Sequence, residues 1–411
     1  MKNLVILGAG TAGTMMANHL VKKLNKKDWQ ITLVDQFKSH YYQPGFLFIP
    51  FGTYQPEDVK RTIDEFLPKG IQLIREKIDR IDKDTDTVIL ENGRNVKYDI
   101  LIIATGCKIA PEEVPGMKGD TWQKNIFDFY TFEGSCALAK KLETWPGGKL
   151  VVHITEMPIK CPVAPLEFAF LADDYFTKKG MRDKVEISYV TPLSGAFTKE
   201  KCTKALEYLL KDKNIKIVPD FAVEHIEGEN GKMFDYGGEV VDFDLLVTVP
   251  TNMGDECILR SGFGDDLNYV PTDKNTLQSK VKENIFVIGD ATNVPASKAG
   301  SVAHFEAEIL TENILKYIEG KPLNPKFDGH ANCFIETGKG KALLIDFNYD
   351  VEPLKGKFPF AGIGPLNLLE ESAFNHFGKM AFKWVYWNML LPARKIPFVT
   401  PTMSRAGKKF D

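Results

Sequence analysis

Leu4-Val5-Ile6-Leu7-Gly8-Ala9-Gly10-Thr11-Ala12-Gly13 opens the chain and decides its fold. Four apolar residues make a buried strand, and the Gly8-x-Gly10-x-x-Gly13 spacing turns that strand into a helix. Gly8 allows the tight turn, Gly10 lets backbone come close to a pyrophosphate, and Gly13 lets helix and strand pack closely. The helix, predicted from Thr11 to about Lys26, presents free N–H groups and a positive dipole end to phosphates. A second strand, Gln30 to Val34, ends at Asp35, where a carboxylate can accept both ribose hydroxyls. Strand, glycine turn, helix, strand and acid together predict a βαβ dinucleotide-binding unit.

Further along, Thr87–Gly93 and Val96–Tyr98 alternate around Asn92-Gly93, which is a hairpin signal. The buried strand Ile100–Ile103 and the turn Ala104-Thr105-Gly106 follow. The pattern then recurs. Met233–Asp242 repeats the hairpin, and Phe243-Asp244-Leu245-Leu246 repeats Tyr98-Asp99-Ile100-Leu101. Strands at Leu150–Ile154 and Val185–Val190 complete a second copy. The second copy lacks its nucleotide equipment. Leu150–Ile154 runs into Thr155-Glu156-Met157-Pro158-Ile159-Lys160-Cys161-Pro162, without a glycine, and Val190 is followed by Thr191 instead of an acid. A pyrophosphate at such a turn meets Cβ atoms and too few free N–H groups, so no tight nicotinamide binding is expected. Cys161 precedes a proline-led helix, a position that lowers a thiol pKa, and Glu167 lies one and a half turns further on as a proton relay.

The fold class predicted is α/β, with two tandem Rossmann-like modules and a C-terminal membrane-interacting segment. The divisions expected are 1–110 for the first part of the dinucleotide module, 111–270 for the degenerate module, 271–321 for the second part of the first module, and 322–411 for the C-terminal region. A chain of 411 residues is too long for one core, and 44% hydrophobic and 26% charged residues are ordinary for a soluble protein. A net charge of −3 gives no support to a nucleic-acid partner. The cysteines, Cys107, Cys136, Cys161, Cys202, Cys257 and Cys333, form no CxxC pair, which weakens zinc and thioredoxin-like readings. No apolar run reaches the ~18 residues of a spanning helix, and no signal peptide is evident. The segment Phe374–Leu391 carries Phe377, Met380, Phe382, Trp384, Trp387 and Leu391 with Lys379 and Lys383. It reads as an amphipathic helix in a bilayer interface, its lysines on lipid headgroups, or as a helix packed on the core or in a dimer contact.

These features resemble the two-dinucleotide-binding-domain flavoproteins. The resemblance implies FAD in the first module, held by Gly8, Gly10, Thr11, Gly13, Asp35, Pro44, Thr105, Gly106, Gly289, Asp290 and Gly300, with Asp290 on the ribityl chain. The loop His40-Tyr41-Tyr42-Gln43-Pro44-Gly45 has no cysteine, so non-covalent FAD is expected. Cys161-Pro162-Val163-Ala164-Pro165-Leu166-Glu167 narrows the likeness. It looks like the sulfide:quinone oxidoreductase family and its relative, flavocytochrome c sulfide dehydrogenase. Their second redox cysteine lies far downstream before a glycine-containing hairpin, which Cys333 with Gly338-Lys339-Gly340 fits.

The resemblance implies catalytic Cys161, Cys333 and Glu167, the two cysteines bridged by a disulfide or by sulfur atoms. It implies sulfide as substrate, a membrane quinone as acceptor and no metal. Peripheral membrane attachment follows from the C-terminal segment, and a homo-oligomer is compatible with the sequence. Phe347, Phe358 and Phe360 are candidates for sandwiching a quinone ring or for core. Two rivals remain open: a type II NADH dehydrogenase of similar architecture, opposed by the missing second glycine turn, and a flavin-bound sulfur carrier or redox sensor without turnover.

Overall fold

Two parallel sheets organise the chain in the computed structural model, which describes residues 1–360 and 362–409. The first has the strand order Ile285–Val287, Ile100–Ile103, Lys2–Leu7, Trp29–Val34, Gln72–Ile74. Leu4 sits opposite Ile31 on one side and Ile100 on the other, so the apolar run is buried on both faces. The second sheet has the order Ile126–Phe127, Leu245–Val249, Gly148–Ile154, Val185–Val190, Lys216–Val218. Each sheet carries a three-stranded antiparallel appendage, at Ile78–Lys97 and at Val223–Asp242, so the repeat in the sequence is a repeat of structure. The α/β class is as expected.

The glycine turn works as its spacing requires. Gly8 has φ +94°, and a Cβ there would lie 2.5 Å from the Ala104 carbonyl oxygen. A Cβ on Gly13 would lie 1.8 Å from the Gly8 carbonyl oxygen. The helix that follows, Thr11–Leu20, is shorter than expected. Beyond Val21 the sequence turns to Lys22, Lys23, Asn25, Lys26 and Lys27, with Leu24 alone packed on the core, and Asn25 closes a turn by accepting the Lys27 N–H at 3.0 Å.

Gly300–Ile318 forms the helix expected there and packs beside Thr11–Leu20. The C-terminal region adds the antiparallel hairpin Ala331–Gly338 and Lys341–Phe347, whose tip Gly338-Lys339-Gly340 is left-handed throughout. The helix Ala373–Val385 then crosses this hairpin and continues into a wider π-helical turn, Tyr386–Leu390. The segment Phe374–Leu391 is therefore not one uniform helix.

Candidate functional site

A cleft of about 620 Å³ opens where strands of the first sheet end. Its wall includes Gly8, Gly10, Thr11, Asp35, Pro44, Thr105, Gly106, Gly289, Asp290 and Gly300. Gly13 is absent from the wall because it serves the helix–strand contact beneath it. Two helices point their first turns into the cleft. The one beginning at Thr11 is preceded by Gly10 and the one beginning at Gly300 by Ala299, and neither first turn has a side-chain cap. A Cβ on Gly10 would meet nothing within 4 Å, so open space lies above that backbone. The arrangement suits a pyrophosphate between two helix N-termini.

The Asp35 carboxylate accepts N–H bonds from Ala9 at 2.6 Å and Phe37 at 2.7 Å, yet burial holds its pKa above the usual carboxylate value. The Thr105 hydroxyl is buried without a partner at the wall. A second depression of about 440 Å³ adjoins the first past Asp35 and Gly8. These groups fit a dinucleotide.

Several groups at or behind the wall escaped the sequence reading. Glu306 accepts the Gly289 N–H at 2.7 Å and fixes the Gly289-Asp290 turn, while burial raises its carboxyl to about 7. Lys298 donates to the Asp290 and Thr292 carbonyls at 3.1 and 2.6 Å and lies over the Tyr269 ring. The Tyr386 hydroxyl lies 2.7 Å from both the Thr11 hydroxyl and His40 Nε2, which brings the C-terminal segment against the phosphate turn. No motif marks these residues. Tyr386 gains its role from partners more than three hundred residues away, and Glu306 and Lys298 from the nearby Gly289–Thr292 turn.

The opposite wall is built by the segment that replaces the second glycine turn. Cys161 has φ +46°, donates its N–H to the Lys298 carbonyl at 2.6 Å, and accepts from Ala164 N–H at 2.9 Å and the Tyr130 hydroxyl at 3.1 Å. Cys161 and Glu167 both line the cleft. Cys333 stands behind the wall on the Ala331–Gly338 strand, within electrostatic reach of Cys161, and both are free thiols.

The expectation of a lowered Cys161 pKa is overturned. Burial pushes the thiol well above its ordinary value, and the neighbouring Cys333 and Glu167 push the same way. The helix that follows begins at Ala164, two residues beyond Pro162, so its dipole does not offset that burial. Burial also raises Cys333, to about 11, against the pull of Lys379.

Lys379 departs from the expected amphipathic arrangement as well. It does not face lipid headgroups. It is buried, donates to Glu167 Oε1 at 2.7 Å and to the Phe334 carbonyl at 2.9 Å, and reaches the cleft wall. Its ammonium acts on both Cys161 and Cys333 in favour of the thiolate. Glu167 Oε1 also accepts the Glu336 N–H at 2.8 Å, while Oε2 is buried without a partner, and burial raises this carboxyl. Trp387 and Leu391, read as interfacial, are buried in the core against the first module, where Trp387 stacks on Phe66. Of the quinone candidates, Phe347 is buried, Phe358 half-buried and Phe360 exposed beside Phe398.

A family model described as pyridine nucleotide-disulphide oxidoreductase matches residues 2–152. A mitochondrial sulfide:quinone oxidoreductase of Dictyostelium discoideum is 28% identical over 95% of this chain and 86% of its own length. A type II NADH:quinone oxidoreductase of Staphylococcus aureus is also 28% identical, over 87% of this chain and 92% of its own. The solved structure of the sulfide:quinone oxidoreductase from Aquifex aeolicus superposes with a TM-score of 0.78 at 23% identity, covering 94% of this chain and 92% of that one. Over nearly its whole length, then, the chain is a sequence homologue of the sulfide:quinone oxidoreductases and shares the fold of one whose structure is solved.

Proposed function

We propose that this protein oxidises hydrosulfide to polysulfide or zero-valent sulfur and passes two electrons through non-covalent FAD to a quinone. The observation that carries the reading is the Cys161 wall. Where a nicotinamide site needs a glycine turn, a thiol lines the cleft of the first module, with Cys333 within electrostatic reach and Lys379 beside both.

FAD, when bound, supplies a two-electron carrier between the thiols and the quinone. The backbone of Gly8 and Gly10 and the helix starts at Thr11 and Gly300 hold its pyrophosphate, Asp35 a ribose, Asp290 the ribityl chain, and Pro44, Thr105 and Gly106 line the path between. The two free thiols, Cys161 and Cys333, are first oxidised to a bridge, their two electrons and two protons going to the quinone by way of FAD; hydrosulfide then attacks that bridge, forming one S–S bond and breaking another. The products are a persulfide on one cysteine and a thiolate on the other. Because burial disfavours that thiolate, its charge needs the Lys379 ammonium. Over a full turnover, HS⁻ + H⁺ + quinone gives S⁰ + quinol.

Peripheral attachment to a membrane belongs to the same proposal. No helix of the described residues is long and apolar enough to cross a membrane. The Ala373–Val385 helix instead buries Asn375 and Lys379 and exposes Phe374 (63%), Phe377 (69%) and Trp384 (62%). Exposed aromatics over a buried polar stripe invert the usual amphipathic order, and a bilayer surface is where such a face is favourable.

The test is anaerobic stopped-flow spectroscopy of the FAD-loaded protein. Sulfide bleaches the flavin, and decylubiquinone restores its colour. Bleaching by NADH at a comparable rate would make the S. aureus-type activity the better reading. Bleaching by sulfide with no recovery on quinone would make the protein a sulfur carrier or sensor.

A further inference from the structure

The net reaction consumes one proton per sulfide, yet the ionisable pair beside the cysteines is shut off from solvent. Glu167 is fully buried and the Lys379 side chain is 10% exposed. One line of polar groups leads outward. Glu336 follows Cys333 by three residues on the same strand, and its N–H binds Glu167. Its carboxylate is 2% exposed and takes His376 Nδ1 at 2.9 Å on both oxygens. His376 is 35% exposed, on the outer helix between Phe374 and Phe377.

We propose that Glu336 and His376 form the proton port that connects solvent to the Glu167–Lys379 pair at the cleft. The port rests on the sulfide:quinone reading for its need of a proton, but its operation on the quinone side is separable from sulfide chemistry. A proton enters at His376 Nε2, leaves His376 Nδ1 for a Glu336 carboxylate oxygen, and passes to the cleft pair directly or through one water. Glu167 Oε2, buried and unpartnered on a residue of the cleft wall, is the acceptor at the inner end.

The groups facing the Glu336 carboxyl are His376 and Lys379 from the C-terminal helix, Glu167 from the Ala164–Lys178 helix, and Tyr54 from the loop before Pro56. Burial raises the Glu336 carboxyl to about 7, against the pull of His376 and Lys379. It can therefore both hold and release a proton near neutrality. The protonated form is the donor, so delivery falls as pH rises through about 7, ten-fold per unit.

The experiment uses FAD-loaded enzyme whose flavin is reduced by light and EDTA, so that sulfide plays no part. Reoxidation by decylubiquinone is followed from pH 5.5 to 9 in the parent, Glu336→Gln and His376→Asn. The parent rate should break near pH 7. Glu336→Gln should lose that break and react about ten-fold more slowly at pH 6.5, with flavin content and spectrum unchanged. His376→Asn should be slowed and rescued by added imidazole, since the position is open to solvent. A break retained in Glu336→Gln, rates unchanged in both variants, or no reoxidation of the parent by quinone overturns the port. Sulfide bleaching, measured separately on the same preparations, reports on the sulfide reading alone.

Discussion

The cysteines and Lys379 make the sharpest claims at the residue scale. Cys161→Ser and Cys333→Ser should each keep the FAD spectrum and abolish bleaching by sulfide, because a serine oxygen cannot form the bridge. Sulfide turnover in either variant within about ten-fold of the parent would sink the two-thiol scheme. Lys379 tests the electrostatics. Lys379→Met leaves Glu167 buried and unpaired, at a cost of about 3–5 kcal/mol. Urea unfolding should register that loss, and Lys379→Met with Glu167→Leu should recover most of it, since the uncompensated charge is then gone. Equal stability of the single and double variants would show that the pair carries no coupling. Gly13 is a simpler case. Its substitution by Ala forces a Cβ into the Gly8 carbonyl, and FAD retention should fall with thermal stability, both read on one purified sample.

The Ala373–Val385 helix holds the membrane question at the element scale. Phe374, Phe377 and Trp384 share its outer face. Replacing all three by Ser removes about 1–2 kcal/mol of apolar transfer at each position. Co-sedimentation with anionic lipid vesicles should then weaken by about a hundred-fold or more, while sulfide bleaching in detergent stays intact. Undiminished sedimentation would assign the docking face elsewhere. The same helix marks where sequence reading stops. Its aromatic content was legible, and so was its amphipathic period. Which face turns inward was not, because Lys379 next to aromatics and four residues from Lys383 reads as a headgroup-seeking lysine. Its counter-charge is 212 residues away, and no local pattern announces it. The opposite holds for the first module. The strand Lys2–Leu7, the glycine turn and Asp35 are contiguous enough for their spacing alone to fix the geometry. Cys161 lies between these cases: its loop and neighbouring helix were readable, but the burial that raises its thiol depends on walls contributed by other parts of the chain.

For the whole molecule, the arrangement ties the membrane-facing element to the flavin turn. The Tyr386 hydroxyl bridges Thr11 and His40, and Lys22 donates to the Pro392 and Ala393 carbonyls at 2.7 and 2.9 Å. The C-terminal segment is thereby part of the dinucleotide site and not an appendage to it. His40 is buried and held neutral, its pKa lowered to about 4 by desolvation. Its folded value lies below its ordinary one, so the undocked state binds the extra proton. Docking is therefore complete above about pH 6.5 and weakens as pH falls toward 4. Tyr386→Phe removes the hydroxyl and leaves His40 Nε2 buried without that partner, a cost of about 1–3 kcal/mol. Part of that cost should appear as FAD affinity weakened about ten-fold, measured by flavin fluorescence on titrating apoprotein, with the loss growing below pH 6. Linkage requires the converse: saturating FAD should protect the Tyr386–Leu390 turn of the parent from proteolysis and protect it less in Tyr386→Phe. If the variant binds FAD with parental affinity at pH 7 and pH 5, the tyrosine merely packs, and the coupling between membrane face and cofactor site must run through another contact.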